Sequence, residues 1–284
     1  MSLSSSPSSS AAAARKALAD RLVGLRKDAG ISGDELSARC GWHAAKTSRI
    51  QSAKAAPSDA DIRAWCAACG ADGQAADLIA ESRAADSMYV EWRRKHRTGM
   101  RESQEKLIQG YEQTELFRMY VSNVIPGFFQ TAEYATALMQ SFSDFQGTPD
   151  DVAEAVPARL ARGRLLYEGG HRFAVLVEEW VLRTQIGDAE TMAGQLGHLL
   201  AVMPLASVSL GVIPQAARRT VWPLEAFYIF DDQRIAVETL TAKLNITQPR
   251  EISDYLKAFN ELAKMAVYGP GARAIIGRAI TDLA

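Results

Sequence analysis

Residues 32–52 read SGDELSARCGWHAAKTSRIQS and predict two short helices joined by a tight turn at Gly41. Ser32 and Glu35 have the S-x-x-E spacing of a capping box, which satisfies free amide groups at the start of a helix. Gly41 stands where the first helix should end, and glycine tolerates the left-handed backbone of a C-terminal cap. The stretch therefore predicts a helix, a turn and a second helix.

The second of these helices has a polar and cationic outer side. Thr47 and Ile50 are three residues apart and share the inner side, which leaves Lys46, Ser48 and Arg49 on the outer side. A DNA major groove accepts a helix with such a face. Together with the turn, the stretch resembles the helix-turn-helix of the phage-repressor-like (XRE) family of transcription regulators.

Five short helices are predicted between residues 15 and 80, as the resemblance to XRE domains implies. Leu18, Leu22 and Leu25 recur at helical spacing in the first helix, and Gly30 ends it. The fourth and fifth helices are predicted from Pro57 to Cys69 and from about residue 72 onward.

The resemblance implies a homodimer that places the third helix of each copy in the major groove of double-stranded DNA. This chain has Ala44 and Ala45 where Gln-Ser is frequent in the family, so two hydrogen-bonding side chains are missing. Lysine and arginine can still reach guanine, and alanine can contact thymine methyl groups. The predicted DNA-binding residues are Ser32, Gly33, Arg39, His43, Ala44, Ala45, Lys46, Ser48 and Arg49.

Alternatives stay open for several of these residues. Lys46 and Arg49 can be plain solvated residues, and His43 can simply cap the helix. Candidates for additional phosphate contacts are Arg26, Lys27, Arg93 and Arg94. The last two belong to a basic run, residues 93–97, that can equally be a solvated face.

The predicted organisation has four parts. Residues 1–14 are rich in Ser, Pro and Ala and are expected to form a disordered leader. The helix-turn-helix domain follows over 15–80, a single linking helix over 81–110, and an α+β domain over 111–284. Residues 1–106 hold 17 basic and 13 acidic side chains, and the remaining residues hold 15 basic and 20 acidic side chains. This distribution suits a DNA-binding N-terminal part followed by an acidic C-terminal part.

The fold class is mainly α, and α+β overall, with a small and mostly antiparallel sheet. Residues 104–122 are predicted to continue the linking helix. Alternating or apolar runs predict strands at 172–178, 207–213, 225–230, 234–240 and 243–247. Further helices are predicted at 150–167, 188–203, 249–267 and 271–283.

Ordered landmarks in the second part carry another resemblance. They are Glu91-Trp92-Arg93-Arg94, the segment 124–131 containing PGFFQT, the run 173–179 (FAVLVEE), residues 195–200 and VSLGVIP at 208–214. The part resembles a domain of unknown function that commonly follows XRE heads in actinobacterial, antitoxin-like regulators. The resemblance implies a transcription regulator without established catalytic chemistry, often encoded beside a small partner protein.

Three hypotheses compete for the second domain. The first is a dimerisation and sensor domain that responds to a partner protein or a small-molecule effector. The second is a protein-interaction module in a chain whose helix-turn-helix domain binds DNA weakly. The third is an enzyme. Candidate pocket residues, each of which can equally be core, are Phe128, Phe129, Trp180, Trp222, Phe227 and Tyr228. The titratable residues Glu178, Glu179, His171 and His198 form no catalytic or metal-binding spacing, so we expect no enzyme, no cofactor and no metal.

Cysteine usage and hydropathy bear on the compartment. Trp65-Cys66-Ala67-Ala68-Cys69 imitates a thioredoxin motif, but no predicted strand precedes it, and Trp65 and Cys69 share an inward stripe with Ile62. Packing is therefore the expected role of these thiols. The sequence has no run of about 18 apolar residues for a membrane span and no convincing secretory signal, so the chain is expected to be cytoplasmic.

Overall fold

A computed structural model of the protein describes residues 7–91, 96–97 and 99–283. The chain divides into two compact units, Met1–Val90 and Glu91–Ala284. The described residues form eleven α-helices and seven strands. None of the described helices combines the length and hydrophobicity that a membrane crossing needs.

The N-terminal unit is helical. Its helices are α1 (Pro7–Asp28), α2 (Gly33–Cys40), α3 (Ala44–Gln51), α4 (Asp59–Ala68) and α5 (Ala75–Met88), with a short 3-10 turn at Asp72–Gln74. Apolar residues at helical spacing meet in one core, as the leucine spacing of α1 predicts. Its buried members are Leu18, Leu22, Ile31, Leu36, Ile50, Ile62, Trp65, Cys66, Leu78 and Ile79.

Two predicted boundaries differ in the structure. Helix α1 begins at Pro7, within the stretch predicted to be a disordered leader, and its Ala-rich sequence has high helix propensity. Residues 81–110 do not form one helix, because α5 ends at Met88 and a short strand, β1, spans Tyr89–Glu91.

A new helix begins just after Gly99, within the range of the predicted linking helix. Gly99 has a left-handed backbone with φ +103°, which a continuing helix does not allow. Helix α6 (Arg101–Glu112) starts directly afterwards. The carboxylate of Asp151 accepts hydrogen bonds from the amides of Met100 and Arg101 at 2.7 and 2.8 Å, so it caps the new helix.

The C-terminal unit is α+β, which confirms the predicted fold class. Its remaining helices are α7 (Ala132–Gln146), α8 (Val152–Leu160), α9 (Ala189–Val202), α10 (Pro249–Met265) and α11 (Gly269–Thr281). Its strands are β2 (Leu116–Val121), β3 (Arg172–Glu178), β4 (Val208–Ile213), β5 (Phe227–Phe230), β6 (Arg234–Glu238) and β7 (Ala242–Ile246).

Six strands of this unit form an open mixed sheet in the order β7-β6-β5-β2-β3-β4. Strands β2, β3 and β4 run parallel, whereas β5, β6 and β7 form an antiparallel meander that joins the edge of β2. Three of the five pairings are antiparallel, in agreement with the predicted sheet. Phe117 of β2 lies opposite Phe173 on one side and Phe230 on the other, at the centre of the main core.

The prediction of helix over residues 104–122 was wrong in its second half. Helix α6 ends at Glu112, and Leu116–Val121 is a strand in the middle of the sheet. Phe117 and Met119 are two residues apart and fully buried, which is strand periodicity. Pairing with β3 and β5 on both sides decides the conformation of such a short segment more than local helix propensity does.

Candidate functional site

The helix-turn-helix in the N-terminal unit is formed by α2 and α3. Ser32 Oγ accepts a hydrogen bond from the Glu35 amide at 3.1 Å, and Gly41 ends α2 with φ +67°. The two helices are then fixed by a buried hydroxyl pair, since Ser37 Oγ and Thr47 Oγ1 lie 2.6 Å apart. Gly41 therefore ends α2 as predicted, whereas only the Ser32 half of the predicted capping box forms, because the Glu35 carboxylate pairs with Arg39.

The outer face of α3 is small, polar and open to solvent. Thr47 and Ile50 are buried, as their spacing predicts. Exposed residues on or just before the helix are His43, Ala44, Ala45, Ser48 and Arg49. His43 occupies the N-cap position, but its side chain makes no capping hydrogen bond. The imidazole is therefore not used to start the helix.

Lys46 differs from its predicted outward position. Its Nζ atom lies 2.6 Å from Asp61 Oδ1 of α4 and 4.4 Å from the centre of the Trp42 ring. Burial alone would raise the pKa of Asp61, but hydrogen bonds from Lys46 and Ser58 outweigh burial and lower the pKa below its ordinary value. Lys46 therefore joins α3 to α4.

Several predicted phosphate contacts already have partners within the domain. Arg39 pairs with Glu35 at 2.7 Å and donates to the Ala68 carbonyl at 3.0 Å. Arg26 donates to the Ile31 carbonyl at 2.5 Å. Ser32 and Lys27 are exposed, and Gly33 is half-buried at the first turn of α2. Arg93 and Arg94 lie outside the described residues.

The cysteines of the thioredoxin-like stretch lie in the helical core. Cys66 is fully buried beside Trp65, whose Nε1 donates to the Leu22 carbonyl at 2.9 Å. Cys40, Cys66 and Cys69 are free thiols. Burial raises the pKa of all three, so they favour the unreactive protonated form.

A cavity of about 330 Å³ lies inside the C-terminal unit. Its walls come from α6, α7, α8, the 3-10 turn Gly127–Phe129 and strands β5 to β7. Much of the lining is aromatic or apolar, including Tyr111, Phe128, Tyr228 and Phe230. Phe145 and Leu240 also border the cavity, and both are well exposed, which indicates an opening to solvent.

The structure brings only two of the six predicted pocket residues to this cavity. Phe128 and Tyr228 line it. Phe129 and Phe227 are fully buried core residues, the alternative that the sequence left open. Trp180 and Trp222 stack on each other in a separate cluster, with ring centres 6.1 Å apart.

Three cations that the sequence did not single out line the same cavity. They are Arg159 of α8, Arg162 in the following 3-10 turn, and Lys243 of β7. Among the described residues, none of them forms an ion pair with a carboxylate. Glu238 is the only carboxylate among the described lining residues; it is opposite Lys243 in the β6–β7 ladder and offsets one of the three positive charges. The cavity therefore carries excess positive charge.

The two arginines are held by polar neighbours. Arg159 Nε donates to Gln130 Oε1 at 2.6 Å, and Arg162 donates to the Arg159 carbonyl and to Gln104 Oε1 at 2.9 and 3.1 Å. Burial, together with the positive charge of Arg162, lowers the pKa of Arg159 to about 10. Arg159 is therefore charged at neutral pH, at a cost in solvation free energy.

The segment 126–131, PGFFQT, forms one wall of the cavity. A Cβ atom on Gly127 would lie 2.6 Å from Arg162 Cζ, so the glycine lets the guanidinium rest on the backbone. Gln130 Nε2 donates to the Ile125 carbonyl at 2.7 Å, and Gln195 Nε2 donates to the Phe129 carbonyl at 2.7 Å. These buried amides fix the loop that positions the arginines.

A separate polar cluster surrounds Glu178 at the end of β3. Arg219 makes two parallel hydrogen bonds of 2.7 Å to the Glu178 carboxylate, and Tyr120 Oη donates to the same group at 2.9 Å. The Arg219 guanidinium lies 5.4 and 5.1 Å from the ring centres of Trp180 and Trp222. Burial, and then the Glu178 charge, raise the pKa of Tyr120 far above its ordinary value.

Comparisons with known families agree with this division of the chain. Residues 17–79 match a model described as a helix-turn-helix domain. Residues 106–278 match the model described as a domain of unknown function, DUF5753. No curated protein and no solved structure matches the chain. The helix-turn-helix match indicates DNA binding in a regulatory protein, and the larger match shows that the chain belongs to the DUF5753 family.

Proposed function

We propose that the chain is a cytoplasmic, sequence-specific transcription regulator of the XRE type that binds operator DNA as a homodimer. The observation that carries the proposal is the outer face of α3, which is exposed, small and polar beside a fixed turn. A helix with this surface enters the major groove without steric conflict. The C-terminal unit then acts as a sensor for a small ligand or a partner protein.

Base recognition in this proposal depends mainly on Arg49. Lys46 is engaged with Asp61, and Ala44 and Ala45 supply no hydrogen bonds. An exposed arginine can bind guanine through two hydrogen bonds, and the alanines can contact thymine methyl groups. Phosphate contacts would supply most of the affinity, which is therefore expected to fall steeply with salt.

The test is genome-wide DNA occupancy of the tagged protein, comparing the wild type with Arg49→Ala. Arg63→Ala is the matched control, because Arg63 is an exposed arginine on α4 of the same unit. We expect sharp peaks that share a palindromic sequence in the wild type and the control, and loss of these peaks in Arg49→Ala. Absence of enrichment for abundant, folded wild-type protein would reject the regulator.

A protein-interaction module with weak DNA binding is the second candidate. Trp222 and Leu224 are 60% and 92% exposed within one loop segment, an apolar surface suited to a small partner protein. The resemblance to antitoxin-like regulators supports such a partner. Two results together would favour this function. The folded chain would bind no specific DNA at low salt, and Trp222→Ala and Leu224→Ala would abolish its capture of a neighbouring gene's product.

The polar contacts of the titratable residues also support a non-enzymatic role for the C-terminal unit. Glu178 is neutralised by Arg219, and the buried His171 hydrogen-bonds through Nδ1 to the Thr114 carbonyl at 2.7 Å. A catalytic base must reach its substrate, and both of these side chains are buried. If the chain turns over a small substrate and keeps this activity after deletion of residues 1–80, this part of the proposal is contradicted.

A further inference from the structure

The cavity of the C-terminal unit is lined by two kinds of side chain. Tyr111, Phe128 and Phe230 are aromatic, whereas Arg159, Arg162 and Lys243 are cationic. The two kinds lie close together, since Arg162 Cζ is 5.8 Å from the centre of the Phe128 ring. We infer that this cavity binds a small organic anion with an aromatic or apolar body, whose acidic group lies against these three cations. The inference rests on the sensory role in the proposed function and specifies the chemistry of its ligand.

The described lining residues of the cavity carry more positive than negative charge. Lys243 is only 5% exposed and Arg162 only 7%, yet neither contacts a carboxylate within ion-pair distance among the described residues. Buried cations are costly unless an anion or several hydrogen bonds compensate them. An acidic ligand would supply the missing negative charge, whereas a metal ion or an amine would add to the excess.

The arrangement of donors favours an oxyanion. Arg159 and Arg162 use part of their guanidinium groups on Gln130 and Gln104, and each guanidinium carries five N–H donors in all. The remaining donors suit the planar or tetrahedral oxygens of a carboxylate, sulfonate or phosphate. Lys243 adds a third positive charge from the β7 wall.

The size and the walls of the cavity limit the rest of the ligand. A volume of about 330 Å³ is at the lower end of the roughly 300–1,000 Å³ range of small-molecule sites, which suits a compact ligand. Aromatic side chains stack favourably on ring systems and on apolar chains. The cavity therefore fits one compact molecule with an acidic end.

Two fluorescent probes that differ in charge test the inference on the full chain. The probes are 8-anilinonaphthalene-1-sulfonate, an aromatic anion, and N-phenyl-1-naphthylamine, which lacks the sulfonate. We expect saturable binding of the anion at one site, at least about tenfold tighter than binding of the neutral probe. Equal affinity for the two probes would overturn the inference.

Substitutions of single cations locate the site. Arg159→Gln, Arg162→Gln and Lys243→Gln should each weaken anion binding about tenfold and leave neutral-probe binding within about twofold. Lys243→Arg keeps the charge and should bind the anion nearly as well as the wild type. The matched control is Arg273→Gln, which removes an exposed cation of α11 outside the cavity.

The design separates failure of the site from failure of the proposed regulator. The Lys243 side chain makes no hydrogen bond or ion pair among the described residues, so its variants test the site even where an arginine variant unfolds. If Lys243→Gln and Arg273→Gln bind the anion as tightly as the wild type, the site is wrong. The DNA affinity is measured in a separate experiment, with and without saturating anion. Unchanged DNA affinity rejects the sensory role, and with it the inferred effector, but does not contradict the proposed DNA binding.

Discussion

Lys46 Nζ and Asp61 Oδ1 lie 2.6 Å apart and connect the proposed recognition helix α3 to helix α4. Asp61 also completes a reciprocal capping box with Ser58 at the start of α4. The Asp61 carboxylate therefore caps the start of α4 and also forms an ion pair with Lys46 of α3. Lys46 contributes to the orientation of α3, and this role is separate from any contact that it makes with DNA.

Replacing Lys46 with Met should lower the stability of the N-terminal unit. The Lys46 side chain is 39% exposed, so solvent screening limits the expected loss to about 0.5–1 kcal/mol at pH 7. Urea unfolding of the wild type and the variant measures this loss. Arg63→Ala serves as the control and should stay within about 0.5 kcal/mol of the wild type.

The effect of Lys46→Met should depend on pH. The folded state holds the pKa of Asp61 below its ordinary value, so the carboxylate stabilises the fold at neutral pH and this contribution is lost as the pH falls through the lowered pKa. The stability difference between wild type and variant should therefore shrink below about pH 4. A difference that stays constant from pH 7 to pH 3 would show that the ion pair does not cause it.

Thr47→Val should destabilise the helix-turn-helix although it preserves the shape of the side chain. Ser37 Oγ donates to the Gly33 carbonyl at 2.8 Å and lies 2.6 Å from Thr47 Oγ1 in a buried position. Ser37 keeps its bond to the Gly33 carbonyl but loses the hydrogen bond that Thr47 donates, at a cost of about 0.5–1.5 kcal/mol. Ser48→Ala, on the exposed face, should cost less than about 0.5 kcal/mol in the same thermal unfolding experiment.

The double variant Ser37→Ala/Thr47→Val distinguishes the lost hydrogen bond from a packing defect. Removing both hydroxyls leaves no unsatisfied group from this pair, so the double variant should be more stable than the sum of the single losses predicts. Additive losses would indicate that the two hydroxyls contribute independently.

Local signals were sufficient to predict the N-terminal unit and much of the sheet. Capping residues, Gly41 and the apolar spacing of α1 each act within a few residues, so the sequence displays them directly. The predicted strand 172–178 coincides with β3. Strand β2 was missed because its conformation depends on partners 50 and more residues away, and Leu107 and Tyr111 just before it have helical spacing.

The cavity was predicted only in part, for a similar reason. Aromatic residues suggest a pocket from composition alone, and this identified Phe128 and Tyr228. Arg159, Arg162 and Lys243 carry charges that normally lie in solvent, and nothing in their local sequence reveals their burial. Only the packing of α8 and β7 around one space brings them together. The spacing of Arg159 and Arg162, three residues apart on a helical segment, is the one signal that could have linked two of them.

The thiols of the N-terminal unit should react slowly in the folded protein. Cys66 is fully buried, and burial raises the pKa of both Cys66 and Cys69. Alkylation by iodoacetamide at pH 8, followed by peptide mass spectrometry, should label Cys66 at least about a hundredfold more slowly than in urea-unfolded chain, because only the exposed thiolate reacts. Rapid labelling of native Cys66 would revive the redox interpretation of the W-C-x-x-C stretch.

Glu178→Ala should be among the most destabilising single changes in the C-terminal unit. The Glu178 side chain is 1% exposed, and its loss leaves the Arg219 guanidinium, which lies beside Trp180 and Trp222, without its carboxylate. Breaking a buried ion pair at one partner costs about 3–5 kcal/mol. Urea unfolding followed by tryptophan fluorescence reports on this region, because both indoles flank Arg219. Glu190→Gln, an exposed carboxylate on α9, is the control and should change little.

The double variant Glu178→Met/Arg219→Met tests the cause of that loss. Apolar residues of similar length remove both charges, so the uncompensated cation is gone and much of the stability should return. Tyr120 also loses its acceptor in both variants, so the double variant should remain somewhat less stable than the wild type. A double variant no more stable than Glu178→Ala would mean that the packing of the carboxylate, and not its charge, holds this end of β3 together.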